Sequence, residues 1–133
     1  MPKAAAPVYG LTHLDLAVRD PERSLAFYEA VFGMTVYQRK DDGILVTTPG
    51  GRDLIQFTRD AEKAGMPGGL AHVGFCVRRR ADVDKIVRRA VAAGATILLH
   101  RDLSTGRPYA KLRDLDGYEV EVYKIDPAAA KTG

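Results

Sequence analysis

The sequence contains one pattern twice, and this repeat limits the folds that the chain can adopt. Residues 12–36 read THLDLAVRDPERSLAFYEAVFGMTV, and residues 71–97 read AHVGFCVRRRADVDKIVRRAVAAGATI. Each copy has a short alternating stretch opened by a histidine, then an amphipathic stretch, a glycine and another apolar stretch. A period of two is typical of a half-buried strand, and apolar residues three and four apart are typical of a helix. The sequence therefore predicts one structural unit repeated at a spacing of about 60 residues.

Capping residues indicate where the two predicted helices begin and end. In the first copy, Asp20 followed by Pro21 is typical of a helix N-terminus, and Gly33 suits the left-handed residue that ends a helix. Gly94 is expected to end the second helix in the same way. The predicted buried stripes are Leu25, Tyr28 and Phe32 in the first helix, and Val83, Ile86, Val87 and Ala90 in the second.

Three further strands are predicted after each helix. These are MTVYQRK, ILVTT and DLIQFTR in the first copy, and ATILLH, PYAKLR and YEVEVYK in the second, separated by the turn signals DDG, PGG and DLDG. The predicted fold class is therefore α+β, with two tandem βαβββ modules that form a curved mixed sheet. We expect a single domain over residues 8–125, with modules near 8–60 and 69–125 and flexible tails at 1–7 and 126–133.

Composition argues against several functional classes. A chain of 133 residues fits one compact domain. No apolar run approaches the roughly 20 residues that a membrane helix needs, and the first residues lack the apolar core of a signal peptide. We therefore expect a cytoplasmic protein without a membrane partner. Cys76 is the only cysteine, which excludes an intrachain disulfide and a cysteine-based zinc cluster, and it is expected to be a small buried residue.

The net charge of +3 raises the question of nucleic acid binding. Basic residues are concentrated in the second predicted helix and just before it. Asp82 and Asp84 interrupt this run, and no aromatic residues accompany it as a platform for bases. The run is therefore interpreted as a solvated helix face, and no nucleic acid partner is expected.

Strand parity predicts a set of polar residues on the sheet face that turns away from the helices. His13 shares this face with Asp15 in the first module, and His72 shares it with Gly74 in the second. Matching the last strands, LIQFT and EVEVY, places Gln56 and Glu121 at equivalent positions. Two imidazoles and a carboxylate inside a curved sheet are suitable donors for a first-row divalent ion. The predicted ligands are His13, His72 and Glu121, with Gln56 as an additional neutral oxygen donor.

The chain resembles the vicinal oxygen chelate superfamily, which includes glyoxalases, bleomycin-resistance proteins and extradiol dioxygenases. The resemblance rests on THLDLAVRDPERSLAFYEAVFGMTV, GLAHVGFCV and DLDGYEVEVY, and it extends over about residues 8–125. It implies a paired βαβββ fold and one divalent metal ion per site, either Fe, Ni, Co, Mn or Zn. It also implies that His13, His72 and Glu121 occupy the metal positions of the family, with Gln56 at a position used by some members. Members commonly form homodimers with the metal sites near the interface, so a homodimer is expected.

Within this superfamily, the expected function is an enolate-type isomerase or lyase similar to glyoxalases or epimerases. The metal ion would chelate two oxygens of a small substrate, and Glu121 would act as ligand and base. Tyr109 and Lys111 are further catalytic candidates on the neighbouring strand. Strand position also suggests substrate contacts for Asp15, Arg101 and Arg113. His100 is interpreted as a surface histidine, with an accessory acid–base role as the alternative.

Two other functions stay open from the sequence. An Fe(II) extradiol dioxygenase has the same ligand order, but no acid–base histidine lies between Leu54 and Ala71, and Lys111 stands where those enzymes have a tyrosine. A non-catalytic drug-binding protein of the bleomycin-resistance type is the third reading, although such proteins typically lack the metal triad. Fosfomycin-modifying transferases are disfavoured because Asp15 replaces their threonine, and its charge opposes a phosphonate.

Overall fold

The computed structural model describes residues 6–125, and its elements follow the predicted order in both halves. The first module comprises β1 (His13–Val18), α1 (Pro21–Phe32), β2 (Thr35–Arg39), β3 (Gly43–Thr47) and β4 (Leu54–Arg59). The second comprises β5 (Val73–Cys76), α2 (Asp82–Ala92), β6 (Thr96–Arg101), a short 3-10 turn (Leu103–Thr105), β7 (Tyr109–Arg113) and β8 (Glu119–Tyr123). The predicted α+β class and the two βαβββ modules are confirmed. Apart from residues 6 and 7, the predicted tails lie outside the described residues.

The ends of α1 follow the predicted capping residues. The Asp20 side chain accepts a hydrogen bond of 3.1 Å from the backbone N–H of Glu22, and Pro21 begins the helix. Gly33 adopts the left-handed conformation with φ of 72° and closes the helix. In contrast, α2 ends at Ala92, two residues before Gly94. Within residues 6–125, neither helix is long and apolar enough to cross a bilayer.

Each module forms its own four-stranded mixed sheet. The strand orders are β1-β4-β3-β2 and β5-β8-β7-β6. In both sheets the first strand of the module runs parallel to the last, and the other neighbours are antiparallel. The predicted curved sheet is thus divided into two, because β1 and β5 are edge strands that do not pair with each other. The outer edge of β1 and the outer edge of β5 have no strand partner in the part of the chain that the structure describes.

The two modules meet through their helices and share one apolar core. The helices contact each other, α1 packs on β3 and β4, and α2 packs on β6 and β7. Phe32 of α1 stacks on Phe75 of β5 with ring centroids 4.0 Å apart. The ring of Tyr28 lies 5.0 Å from that of Phe57 in β4. Buried residues from both helices and both sheets belong to a single cluster, so the two modules share one core.

A buried polar network also joins the turn between β7 and β8 to the first module. The Tyr28 hydroxyl donates a hydrogen bond of 2.7 Å to Asp114 Oδ2, and the Tyr118 hydroxyl donates one of 2.7 Å to the carbonyl of Ala17. Burial raises the pKa of Tyr28 well above its ordinary value and also raises the pKa of Asp114. These contacts fix the turn against α1 and the end of β1.

Asp116 provides a second anchor in the same turn. Its carboxylate accepts hydrogen bonds from the backbone N–H of Arg19 at 3.0 Å and from the Ser24 hydroxyl at 3.3 Å. The Arg19 guanidinium adds a contact of 3.2 Å to the same carboxylate. We call the side chains of both anchors together the intermodule network. Its members are Arg19, Ser24, Tyr28, Asp114, Asp116 and Tyr118.

The outer strands β2 and β6 carry β-bulges at equivalent places. The register shifts between Val36 and Gln38 in β2, and between Ile97 and Leu99 in β6. Val36 and Ile97 are 61 positions apart, which is also the offset between Gly33 and Gly94. Because a bulge re-aims the residues that follow it, the ends of β2 and β6 take corresponding directions.

Candidate functional site

The sheet surface opposite the helices, here called the open face, carries polar residues in both modules. In β8, Val120 and Val122 are fully buried under the helix, whereas Glu119, Glu121 and Tyr123 are only partly buried on the other side. The same alternation is seen in β1, where His13 and Asp15 are exposed. The burial pattern therefore agrees with the face that strand parity predicts for these residues.

Four of the predicted site residues lie together on the open face of the second module. His72 immediately precedes β5, and its Nε2 lies 3.3 Å from Glu121 Oε2. The Tyr109 hydroxyl donates a hydrogen bond to Glu121 Oε1, and Lys111 Nζ lies 3.8 Å from the same oxygen. We call these four residues the Glu121 cluster. One carboxylate oxygen is thus held by Tyr109 and Lys111, while the other faces the imidazole.

The strand pairing explains why this cluster forms. Lys111 in β7 is directly opposite Glu121 in β8, and Gly74 in β5 is opposite Glu121 on the other side. Gly74 has no side chain to cover the carboxylate, and a Cβ there would lie only 2.8 Å from the ring of Tyr123. The glycine thus leaves space for the tyrosine ring beside the site.

Tyr109 is suited to donate rather than accept the hydrogen bond to Glu121. Burial raises the pKa of Tyr109 to about 12, and its hydrogen bond to the Glu121 carboxylate adds to this effect. The hydroxyl therefore keeps its proton at neutral pH. A protonated phenol beside a carboxylate fixes the orientation of that carboxylate.

The corresponding positions of the first module hold a different network. The amide oxygen of Gln56 lies 3.5 Å from Lys40 Nζ, and its amide nitrogen donates a hydrogen bond of 3.0 Å to the Thr58 hydroxyl. Thr58 in turn donates a hydrogen bond of 2.7 Å to Asp15 Oδ1. We call Asp15, Lys40, Gln56 and Thr58 the Gln56 network. Both ends of the Gln56 amide therefore have a partner within the protein.

The two halves of the predicted metal site do not join within one chain. Among residues 6–125, no three His, Cys, Asp or Glu side chains lie close enough together to hold one metal ion. His13 and His72 both line a groove of about 840 Å³, which is bordered by the edge strands β1 and β5. The three side chains are donors that suit a divalent ion. Only His72 and Glu121 lie together, and His13 is separate from them.

The predicted substrate contacts lie on the open face but make few contacts of their own. Arg101 is opposite Tyr109, and Arg113 is opposite Glu119. Within the described range, neither arginine has a carboxylate oxygen within 4.0 Å. Their guanidinium groups are exposed and are not neutralised by an ion pair.

His100 and Cys76 are placed differently from the rest of the set. His100 faces α2, where its Nε2 lies 2.7 Å from Asp84 Oδ1, so it belongs to the helix side of the sheet and not to the open face. This placement agrees with its interpretation as a surface histidine. Cys76 is exposed and not buried as expected, because β5 is an edge strand without a neighbouring strand on one side.

Two residues of the Gln56 network, Lys40 and Thr58, are not among the predicted site residues. Thr58 shares the strand parity of Gln56, and this is the signal that identifies its face. Lys40 stands 61 positions before Arg101, the same offset that relates the two bulges. The repeat therefore contains a signal for Lys40 that strand parity alone does not provide, because the bulge interrupts the parity of β2.

Known proteins share both the sequence pattern and the fold. Residues 10–122 match the Glyoxalase/Bleomycin resistance protein/Dioxygenase superfamily. Uncharacterized protein PA2024 of Pseudomonas aeruginosa is 37% identical over 122 residues, which cover 84% of this chain and 85% of that protein. Glutathione transferase FosA of Serratia marcescens is 28% identical over 116 residues, which cover 85% of this chain and 79% of that protein. The fosfomycin resistance protein FosX of Mesorhizobium loti has the same fold, with a TM-score of 0.74 and 18% identity. The match covers 93% of this chain and 98% of that protein.

Proposed function

Because the chain belongs to the Glyoxalase/Bleomycin resistance protein/Dioxygenase superfamily, we propose that it is a metal-dependent isomerase or lyase of the glyoxalase or epimerase type. In this proposal the substrate is a small molecule with two oxygens that can chelate a divalent ion. The Glu121 cluster is the observation that carries the proposal, since it places a carboxylate 3.3 Å from an imidazole on the open face.

His13, His72 and Glu121 are the proposed ligands of the ion, which can be Fe, Ni, Co, Mn or Zn. A bound divalent ion polarises a carbonyl oxygen and so makes a neighbouring C–H group more acidic. We leave Gln56 outside the proposed ligand set. Its amide oxygen lies 3.5 Å from the Lys40 ammonium, so a cation at that oxygen would meet a like charge.

The proposed roles of the other residues follow from their contacts with Glu121. Glu121 takes the proton from the carbon next to the substrate carbonyl. Tyr109 keeps its own proton at neutral pH and holds the carboxylate through its hydrogen bond. Lys111 Nζ lies 3.8 Å from the Glu121 carboxylate. Its positive charge stabilises the negative charge of Glu121 while that carboxylate is unprotonated.

We further propose a homodimer in which β1 of one subunit lies beside β5 of its partner. Each site then takes His13 from one subunit and His72 with Glu121 from the other. In the described residues, the outer edges of β1 and β5 beside the groove have no strand partner, which supports this arrangement because exposed edges are normally covered in native proteins. Apolar residues before β1 also support it, since Tyr9 and Leu11 are 83% and 95% exposed.

Metal content tests the proposed ligands directly. Untagged wild-type protein and the variants His13→Ala, His72→Ala and Glu121→Gln are purified and analysed by ICP-MS. His100→Ala is the matched control, because it removes the third histidine, which faces α2. We expect about one ion per chain in the wild type and the control, and loss of the ion in the other variants. Retention of the metal by His72→Ala would overturn the site.

Mixing two inactive variants tests whether the site is shared between subunits. His13→Ala and His72→Ala are unfolded together, refolded and compared with each variant refolded alone. For a shared site, half of the dimers are mixed and each mixed dimer has one intact site, so about a quarter of the sites should bind metal. A site within one chain predicts no recovery.

Activity is then tested on the metal-loaded protein. Small 2-oxo acids and thioesters are incubated in deuterated water, and exchange of the proton next to the carbonyl is followed by NMR. The proposal predicts exchange by the metal-loaded wild type and its loss in Glu121→Gln, which is expected to lack both the ion and the base. Exchange that is equal in both proteins would remove Glu121 as the base.

The position of Tyr109 favours one second candidate, a ring-cleaving Fe(II) dioxygenase. Its hydroxyl contacts Glu121 from two residues before the position where such enzymes have their tyrosine. Stoichiometric iron together with oxygen uptake on catechols would support this candidate. Failure to bind any metal after reconstitution would instead leave the drug-binding alternative.

A further inference from the structure

The repeat places a cation at the same position in each module. Lys40 directly follows β2, and Arg101 is the last residue of β6. They are 61 positions apart, as are the two β-bulges that direct the ends of these strands. The two modules therefore present equivalent positive charges.

Lys40 is held on the open face without a counter-charge. Its Nζ lies 3.5 Å from the amide oxygen of Gln56, whose other end is fixed by Thr58. In the described part of the chain, no carboxylate oxygen lies within 4.0 Å of this ammonium. Gln56 is only 9% exposed, so a buried amide orients an exposed cation that has no anionic partner.

Arg101 has a similar setting in the second module. It lies opposite Tyr109, which in turn donates a hydrogen bond to Glu121. Each carboxylate near Arg101 on the open face has another basic residue beside or opposite it. Glu121 has Lys111 and His72 as neighbours, and Glu119 lies opposite Arg113. The charge of Arg101 is therefore available to a ligand.

We infer that Lys40 and Arg101 form a cationic subsite that binds an oxyanion of the substrate, either a carboxylate or a phosphoryl group. The inference rests on the proposed function, because the subsite would adjoin the metal site only in the proposed dimer. In the proposed dimer, each site combines the first module of one subunit with the second module of its partner, so it receives one Lys40 and one Arg101. Guanidinium and ammonium groups bind such oxyanions through charge-assisted hydrogen bonds.

Charge-matched double variants separate this subsite from general electrostatic attraction. Lys40→Met with Arg101→Met removes the two cations of the subsite. Lys63→Met with Arg88→Met removes two exposed cations elsewhere, so both double variants have a net charge two below the wild-type value of +3. Circular dichroism first verifies that both double variants are folded.

Three probes are titrated into each full-length protein by calorimetry, with and without bound metal. Pyruvate carries a carboxylate, inorganic phosphate carries the phosphoryl oxyanion, and methyl pyruvate is the neutral analogue of pyruvate. We expect the subsite variant to bind pyruvate or phosphate about ten-fold more weakly than the wild type. Its affinity for methyl pyruvate should not change, and the control variant should stay within about two-fold of the wild type for all probes.

The pattern of losses identifies the anion. A loss for pyruvate alone assigns a carboxylate, and a loss for phosphate alone assigns a phosphoryl group. Equal losses in the control variant, or no anion binding by the wild type, would overturn the subsite. Metal content measured on the same samples keeps the two proposals apart, because anion dependence without metal binding would contradict only the proposed function. Metal binding without anion dependence would contradict only the subsite.

Discussion

At the scale of single residues, the two oxygens of the Glu121 carboxylate have different neighbours. Oε1 accepts the Tyr109 hydrogen bond and lies near Lys111, while Oε2 faces His72. A carboxylate held at one oxygen has less rotational freedom to lose when the other oxygen binds an ion. Residues around a metal ligand commonly change affinity in this way, although they do not touch the metal.

Tyr109→Phe is therefore expected to weaken metal binding without unfolding the protein. Loss of the hydroxyl frees one carboxylate oxygen, and the affinity for Zn²⁺ should fall about ten-fold or more. Competition with a coloured chelator measures this affinity. Tyr123→Phe is the matched control, because Tyr123 shares the open face but makes no hydrogen bond to Glu121 in the described structure. Equal affinities in the two variants would show that the hydroxyl does not position Glu121.

Strand parity predicted the face of the site residues but not which of them meet. His72 lies just before β5, Tyr109 lies in β7 and Glu121 lies in β8. Their proximity depends on the order β5-β8-β7, which no local pattern determines. Lys40 was missed because it follows a bulge, where counting by twos fails. The packing of the two modules determines the separation of His13 from the Glu121 cluster, and local sequence does not encode it.

At the scale of elements, the capping signals were more informative for α1 than for α2. Asp20 and Gly33 mark the ends of α1 as predicted, because both act through local hydrogen bonds or backbone geometry. The strand β5 begins at Val73, so His72 precedes the ladder although the pattern includes it in the strand. An edge strand paired on one side has fewer hydrogen bonds to extend it.

One contact at this scale makes stability depend on pH. Asp84 of α2 accepts hydrogen bonds from His100 of β6 and from the backbone N–H of Leu103 in the following turn. The hydrogen bond from His100 is the main reason that the pKa of Asp84 is lowered. A lowered folded-state pKa stabilises the protein above the unfolded value, and this contribution is lost as the pH falls through the folded value.

Asp84→Asn should accordingly lower the Tm at pH 7 by about 2–4 °C. The difference from the wild type should shrink as the pH falls below the ordinary aspartate pKa of about 4, because the unfolded chain then binds a proton that the folded carboxylate takes up only at lower pH. Thermal unfolding followed by circular dichroism at several pH values measures both effects. Asp41→Asn, in the turn after β2, serves as the control for removal of an exposed charge. A difference that stays constant down to pH 2 would exclude the titration of Asp84 as its cause.

At the scale of the whole molecule, the predicted sheet and the observed sheets differ in their continuity. Each module determines its own four strands, and the turn signals DDG, PGG and DLDG agree with their hairpins. Whether the edges of β1 and β5 pair with each other or with another chain depends on long-range packing. In this chain the helices and the intermodule network set the arrangement of the modules.

Removing one contact of this network should destabilise both modules together. Tyr28→Phe leaves the buried Asp114 carboxylate with one donor fewer, which should lower the free energy of unfolding by about 1–2 kcal/mol. Urea denaturation should show a single transition with an unchanged slope, since the modules share one core. Tyr37→Phe, on an exposed part of β2, should have no effect on this free energy. Two separate transitions would contradict the single-domain interpretation.

The separation of His13 from His72 and Glu121 also bears on how the protein matures. If the site is shared as proposed, a newly synthesised chain has only part of a chelating site before it meets a second copy. Metal acquisition then follows assembly, and the amount of loaded protein rises with the square of the chain concentration when chains are scarce. At a low level of synthesis, most chains would therefore be folded but without their ion.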